Sequence, residues 1–268
     1  MDLMEITALP DTQAQRDQRG LTVDRAGVRT LRLPAHVVDV DGEACATVAT
    51  FDLGVRVPAH QRGTHMSRLV EAAHELARSL HIARLNSELQ ALLRRLEAPG
   101  GEIAIRYPWF VEKSAPKSGR RSLLDVDVVI RARLQVDAGD PEFEQVIRVP
   151  VTTLCPCSKA ISRYGAHNQR SYVTATLRPD QPLPVADVVT AVEQHASCPV
   201  YGVLKREDEK YVTEAAYENP KFAEDLVRDV FAHLAEREGA GAWAVETENE
   251  ESIHNHLAYA RITRATVD

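Results

Sequence analysis

The stretch SLLDVDVVIRARLQVD, residues 122–137, decides the fold. Its alternate positions are apolar, and the apolar row comprises Leu124, Val126, Val128, Ile130, Ala132, Leu134 and Val136. Because successive side chains of a strand point to opposite faces, this period of two predicts a long strand with one buried face. The segment EIAIRYPWFVEK, residues 102–113, precedes it across a turn-rich linker and predicts a partner strand.

Four further elements precede this strand pair. The runs 27–39 and 45–58 are rich in β-branched residues and flank an Asp-Gly turn, which predicts an antiparallel hairpin. Apolar residues at helical spacing then predict two helices, one that begins at an N-cap Thr64 and one that ends before residue 98. The first half of the chain therefore has the predicted order ββααββ.

The second half repeats that order. Strands are predicted at 143–153, 171–179, 241–250 and 252–263, with helices at 184–197 and from Asn219 to near Gly239. We therefore predict an α+β fold of tandem ββααββ modules, residues 1–140 and 141–268, with antiparallel sheets and helices layered on one face. A single mixed sheet remains the alternative.

The composition excludes several classes of protein. At 268 residues the chain can bury a full core, and its 44% hydrophobic and 26% charged residues contain no apolar run long enough for a membrane span. The N-terminus lacks the pattern of a secretory signal, so we expect a cytoplasmic protein whose four cysteines are thiols or metal ligands. A net charge of −7 argues against nucleic-acid binding.

The stretch TLCPCSKAISRYGAHNQRS, residues 153–171, carries the strongest chemical signal. It lacks both the second cysteine pair of a structural zinc site and the Cys-x-x-Cys spacing of a redox site. A thiolate from Cys155 or Cys157 and the imidazole of His167 instead favour a mixed metal site with an open position for water.

Other donors lie farther along the chain. His254 and His256 are predicted on one face of the last strand, either as ligands or as residues lining a half-buried sheet. The run 201–220 contains Glu209 and four other acids, and is either a carboxylate source or a solvated charged loop. Glu224 points away from the apolar stripe of its helix, which indicates a surface glutamate.

Two cysteines and a basic segment complete the candidates. Cys45 and Cys198 are predicted to be packing thiols. The segment HQRGTHMSR, residues 60–68, places Arg62 and Arg68 at a strand-to-helix junction, where free backbone N–H groups favour anions. It either faces a phosphate or simply begins the helix.

Four motifs together resemble a known family. They are TTLCPCSKAISRYGAHNQRS, VPAHQRGTHMSR, LKREDEKYVTEAAYENPKFAEDLVRDV and ENEESIHNHLAYA, and the likeness runs from residue 8 to the final strand. The chain resembles the prokaryotic type IB GTP cyclohydrolases. One departure is YGVLKREDEKY, where that family more often has a proline near the lysine-arginine pair.

The resemblance implies a fold, an activity and a site. The fold is the tunnelling fold, assembled as a homotetramer with active sites where subunits meet. The activity is hydrolysis of GTP to formate and 7,8-dihydroneopterin triphosphate, the entry to tetrahydrofolate, with zinc, manganese or iron as the divalent metal. The implied metal ligands are Cys155, His167, Glu209 and His254, and Glu224 is implied to anchor guanine.

The chemistry of these residue types agrees with that activity. A bound metal makes hydroxide available to attack C8 of guanine, and His167 or Cys157 can move protons, so Cys155, Cys157 and His167 are the catalytic candidates. A carboxylate at Glu224 can accept from both N1–H and N2–H₂ of guanine. Cations are needed for the triphosphate, and the candidates are Lys159, Arg62, Arg68, Lys205, Arg206 and Lys210.

Three rival functions remain open. A tunnelling-fold nitrile reductase would use Cys155 as a covalent nucleophile with NADPH. A related archaeal cyclohydrolase would release a cyclic phosphate pterin. A metal-stabilised binding module without catalysis would need a closed site of four ligands.

Overall fold

The computed structural model describes residues 12–13, 15–135, 139–237, 239 and 241–264. The first half contains strands and helices in the predicted order, with one short added strand and a 3₁₀ turn at Ile82–Arg84. Its elements are β1 (Val23–Val38), β2 (Ala44–Val57), α1 (Met66–Arg78), β3 (Leu80–His81), α2 (Leu85–Leu96), β4 (Gly101–Ser114) and β5 (Arg121–Leu134).

The second half contains more helices than the sequence predicts. Its elements are β6 (Glu142–Leu154), α3 (Pro156–Ile161), β7 (Asn168–Leu177), α4 (Val185–His195), β8 (Cys198–Pro199), α5 (Arg206–Glu218), α6 (Ala223–Glu236), β9 (Ala242–Glu250) and β10 (Ala258–Thr263). The described strands form one ten-stranded sheet in the order β10-β9-β7-β6-β5-β4-β2-β1-β3, with β8 paired to β6.

The sheet is continuous across both halves of the chain. Its described pairings are antiparallel apart from the short pairing of β1 with β3, so the molecule is an α+β protein with a large antiparallel sheet. The single sheet agrees with the alternative prediction. The antiparallel pairing agrees with the main prediction.

The strand that decided the fold behaves as its alternation predicts. In β5 the residues Val126, Val128 and Ile130 are almost fully buried, whereas Val136 lies outside the described residues. The buried row of each long strand packs with α1, α2, α4 and α6 into one hydrophobic core. The opposite face of the sheet carries cross-strand ion pairs such as Arg131–Glu144 and Arg178–Glu144. Helices therefore cover one face, as predicted.

Several predicted elements are wrong in detail. The run 201–220 is not an irregular loop, because Arg206–Glu218 forms α5. Asn219 ends α5 and does not begin the next helix, since its side-chain amide donates to the Ala196 carbonyl and α6 begins at Ala223. The N-cap of α1 is His65, and Thr64 is buried beside it.

Two further segments differ from their predictions. His254 and His256 do not belong to the last strand, because β10 begins only at Ala258. The loop after β6 contains α3, which the sequence analysis did not predict. Among the described residues, no helix is both long and apolar enough to cross a membrane.

Candidate active site

Several of the predicted site residues lie at one edge of the sheet. Leu154 at the end of β6 pairs with Asn168 at the start of β7, and Glu250 at the end of β9 pairs with Arg170. The β4–β5 turn lies at the same edge, because β5 runs antiparallel to β6. Segments that leave this edge carry Cys155, His167 and His254, so the fold delivers all three to one side of the molecule.

Cys155 and His167 lie next to each other. The Cys155 amide donates to the His167 carbonyl at 3.1 Å, which continues the β6–β7 ladder by one bond. Ser158 joins them further, because its N–H donates to the Cys155 sulfur at 3.4 Å and its hydroxyl accepts from the His167 N–H at 3.2 Å. The backbones of Cys155 and His167, twelve residues apart in the sequence, therefore lie side by side.

A buried polar chain supports the imidazole. His167 Nδ1 lies 2.9 Å from Gln169 Oε1, and the Gln169 amide nitrogen donates to the Thr153 hydroxyl at 2.7 Å. The Thr153 hydroxyl lies 2.7 Å from that of Ser171. Sequence reasoning missed this chain, although polar residues on the otherwise apolar rows of β6 and β7 could have signalled it.

The short helix α3 holds two other candidates. Cys157 is exposed and Cys155 is half-buried, and all four cysteines of the chain are free thiols. Cys45 packs against the core and Cys198 is buried, where burial raises its pKa to about 11, so both are packing thiols as predicted. The Lys159 ammonium donates to the Tyr217 carbonyl and lies 4.4 Å from the centre of that ring, which ties α3 to the end of α5.

Glu209 is exposed in the first turn of α5, one residue after a fully buried aspartate. Asp208 accepts from the N–H groups of Lys117, Ser118 and Lys205 and from the Ser118 hydroxyl. Burial alone would raise the pKa of Asp208, but these hydrogen bonds outweigh it and hold the pKa well below its usual range. Asp208 was predicted only as one of the acids in the run 201–220. The three consecutive acids that follow Lys205 and Arg206 could have predicted a helix start there, since acids favour a first helical turn.

His254 lies in the turn between β9 and β10. Its Nε2 is 3.5 Å from a Glu251 carboxylate oxygen, and its ring stacks on that of His256 with the centroids 4.9 Å apart. Both rings are exposed. Glu224 is also exposed, in the first turn of α6, as its position on the helix predicts.

The four implied metal ligands are not assembled within one chain. Among the described residues, no three His, Cys, Asp or Glu side chains lie close enough to hold a metal ion. The chemistry of two of the implied ligands suits a divalent metal, because the hydrogen bond at Nδ1 leaves Nε2 of His167 to bind a metal, and Cys155, whose backbone bonds that of His167, supplies a thiol. The structure therefore brings the backbones of two of the four implied ligands together.

The basic segment lies at the other end of the strands. Arg68 lines a groove of about 850 Å³ with Arg16, His60 and His65, while Arg62 donates to the Gln15 side chain at 2.6 Å. This groove lies at the end of β2, which pairs with the start of β4. Cys155 lies past the opposite end of β4. At about 3.3 Å per residue, the length of β4 separates the two places by roughly 40 Å within one chain.

Two comparisons of the sequence with known proteins indicate one family. A family model described as Type I GTP cyclohydrolase folE2 matches residues 9–260. The GTP cyclohydrolase FolE2 of Azoarcus sp. (strain BH72) is 48% identical over 257 residues, which cover 96% of this chain and 95% of that protein. That of Burkholderia pseudomallei (strain 1710b) is 49% identical over 257 residues, with 96% of each covered.

A solved structure, the uricase from Arthrobacter globiformis, superimposes with a TM-score of 0.47 at 9% identity, covering 91% of this chain and 95% of that one. The family assignment rests on the sequence matches, whose span includes the Cys155–His167 pair, α5 and the turn with His254. By the extent and identity of those matches, the chain belongs to the type I GTP cyclohydrolase FolE2 family.

Proposed function

We propose that this protein is a GTP cyclohydrolase that converts GTP and water to formate and 7,8-dihydroneopterin triphosphate, the first step of tetrahydrofolate biosynthesis. The observation that carries the proposal is the 48–49% identity to GTP cyclohydrolase FolE2 proteins over 96% of the chain. The pairing of Cys155 with His167 at the sheet edge supports it, because a thiolate and an imidazole suit a hydrolytic metal site.

The proposed metal ligands are Cys155, His167, Glu209 and His254. A divalent metal, zinc, manganese or iron, would supply a water of lowered pKa as the nucleophile for C8 of guanine. Cys155 is half-buried, and its sulfur accepts a hydrogen bond from the Ser158 N–H at 3.4 Å. Glu209 and His254 are exposed, and we propose that they complete the ligand set of a metal shared with another subunit.

Proton transfers are assigned to the side chains that remain accessible. Cys157 is exposed in the first turn of α3, two residues from Cys155, and we assign it to proton transfer during ring opening. His167 has its Nδ1 bonded to Gln169, so it would bind the metal through Nε2, which leaves proton transfer to Cys157.

Glu224 is assigned to guanine recognition. Its carboxylate can accept from guanine N1–H and N2–H₂ at once, a donor pair that adenine does not present. Exposure in the first turn of α6 leaves both oxygens available to a nucleotide.

Lys205 and Lys159 lie at the same edge as Cys155 and are proposed to bind the triphosphate. Arg62 and Arg68 lie at the far end of the strands, so they can act only on a nucleotide bound to a neighbouring subunit. We therefore propose that each site is shared between subunits.

The proposed assembly is a homotetramer of tunnelling-fold subunits, each with tandem modules 1–140 and 141–268. Two features of the subunit support a shared site. The ligand set is incomplete among the described residues of one chain. Large apolar side chains are also exposed on segments next to the site, at Ile161, Tyr164, Ile253 and Tyr259.

The test is release of formate from nucleotides by protein that has been stripped of metal and reloaded. We expect formate from GTP with Zn²⁺ or Mn²⁺ present, none from ATP, and none from GTP after chelation. Protein that retains the metal yet releases no formate from GTP would overturn the assignment.

A further inference from the structure

We propose that Gln169 is a positioning residue, which sets the tautomer of His167 so that Nε2 keeps its lone pair, and that Thr153 and Ser171 hold Gln169 in place. The proposal rests on the proposed function, because that function uses Nε2 of His167 to bind the metal. The tautomer itself is a property of the metal-free protein.

The contacts form a continuous chain away from the imidazole. His167 Nδ1 donates to Gln169 Oε1 at 2.9 Å, and Gln169 Nε2 donates to Thr153 Oγ1 at 2.7 Å. Thr153 Oγ1 lies 2.7 Å from Ser171 Oγ. Thr153 and Ser171 are fully buried and Gln169 is 6% exposed, so water does not compete for these bonds.

The direction of the amide decides which ring nitrogen is free. With Oε1 toward the ring, Nδ1 carries the proton and Nε2 keeps its lone pair. A flipped amide would donate to Nδ1 and place the proton on Nε2, where it would block a ligand. The orientation found here is the one that a metal ligand requires.

A comparison within the same sheet argues against a purely structural role. Gln145 on β6 is the matched case, a fully buried amide whose two ends both bond the backbone of Leu183, at 2.9 and 3.1 Å. In the described part of the chain, the side-chain amide of Gln169 bonds only side chains, and one of them is His167. Neighbouring positions on the same buried rows, such as Val151 and Val173, are apolar, so the polar chain is confined to the edge that bears the site.

The first readout is ¹⁵N NMR of the histidine rings in metal-free protein at alkaline pH, where the ring is neutral. The chain has 10 histidines, and subtraction of the H167A spectrum identifies the signals of His167. We expect the Nδ1–H tautomer in the wild type and in T153S, which keeps the hydroxyl. Q169M and T153V are expected to shift His167 toward Nε2–H.

The second readout is the dissociation constant for Zn²⁺, measured by competition with a chelator. Loss of an outer partner of a ligating histidine typically weakens metal binding by about 10–100-fold, and we expect a change of that size in Q169M. T153V should lie between Q169M and the wild type, and T153S should match the wild type. Q145M is the control, which should lose stability yet keep the wild-type tautomer and Zn²⁺ affinity.

An Nε2–H tautomer in the wild type would overturn the inference, and this measurement needs no variant to fold. Unchanged tautomer and Zn²⁺ affinity in Q169M would overturn it as well. The proposed function fails separately: H167A with undiminished Zn²⁺ affinity would remove His167 from the ligand set, whatever the tautomer in the wild type.

Discussion

Glu224 is the residue on which base selectivity depends in this account. It is exposed in the first turn of α6, beside Asp225, whose carboxylate accepts from Arg228 at 3.3 Å. The two neighbouring acids therefore differ, because Asp225 already has a partner within the helix. This contrast provides a matched pair of substitutions.

The substitution Glu224→Gln should keep the metal and lose turnover of GTP. An amide cannot accept from both guanine donors, and hydrogen bonds to charged groups contribute about 1.5–3 kcal/mol each. We expect kcat/KM for GTP to fall at least about 100-fold, since about 1.4 kcal/mol corresponds to a factor of ten. Asp225→Asn is the control, expected to stay near the wild-type rate, and a wild-type rate in Glu224→Gln would return Glu224 to an ordinary surface residue.

Sequence spacing predicted some residues of the site better than others. Cys155 and His167 flank a single loop between paired strands, so their spacing in the sequence was enough to predict that they lie close together. His254 was misplaced because Ser252 to Leu257 alternates like a strand, whereas the described chain turns there before β10 begins. The partners of Gln169 depend on the register between β6 and β7, which no local pattern specifies.

At the scale of the element, α5 shows why a helix can escape prediction. Its only fully covered side chains are Asp208 and Ala216 among the residues described, so it lacks the apolar stripe on which helix prediction depends. The helix is held instead at Asp208, where three hydrogen bonds from Lys117 and Ser118 attach its first turn to the β4–β5 turn, and a fourth, from the Lys205 N–H, caps the helix. A tertiary contact of this kind has no signature in the local sequence.

The substitution Asp208→Asn should destabilise the protein in a pH-dependent way. The pKa of Asp208 is lowered in the folded state, so its contribution to the free energy of unfolding is complete above its unfolded pKa of about 3.9 and is lost as pH falls toward the folded value. We expect a lower urea midpoint than the wild type near neutral pH, with the difference shrinking below about pH 4.

Glu207→Gln is the control for that experiment, because Glu207 is exposed in the same turn of α5. We expect it to leave the urea midpoint unchanged at either pH. A difference between Asp208→Asn and the wild type that does not depend on pH would contradict the assigned role of the Asp208 carboxylate.

At the scale of the whole molecule, the two halves are joined by more than the shared sheet. Lys113 on β4 pairs with Glu193 on α4, with the side chains only 14% and 9% exposed. Burial raises the pKa of Glu193, and the hydrogen bond and charge of Lys113 partly offset that rise. The other carboxylate oxygen of Glu193 has no hydrogen-bond partner among the described residues, so the pair depends on Lys113.

Removal of that lysine should be costly. Breaking a buried ion pair by deleting one partner typically destabilises a protein by about 3–5 kcal/mol, and we expect Lys113→Met to fall in that range. Without Lys113 the pKa of Glu193 rises further, because only burial then acts on it, so the variant loses stability as pH rises and the loss should be greater at pH 8 than at pH 5. Urea unfolding at fixed protein concentration measures both.

Two further variants control for the loss of charge alone. Arg95→Met removes an exposed partner of Glu71 and should cost less than about 1 kcal/mol. The double variant Lys113→Met with Glu193→Gln should recover part of the stability, because no buried charge is left unpaired. Equal losses in Lys113→Met and Arg95→Met would show that the Lys113–Glu193 pair does not hold the two halves together.

The most direct test of the central claim follows the carbon that the reaction removes. Metal-loaded protein is incubated with GTP that carries ¹³C at C8, and the products are observed by ¹³C and ³¹P NMR. We predict one equivalent of ¹³C-formate for each GTP consumed and a pterin that retains its triphosphate. Label that stays in the nucleotide, or a cyclic phosphate in place of the triphosphate, would contradict the account.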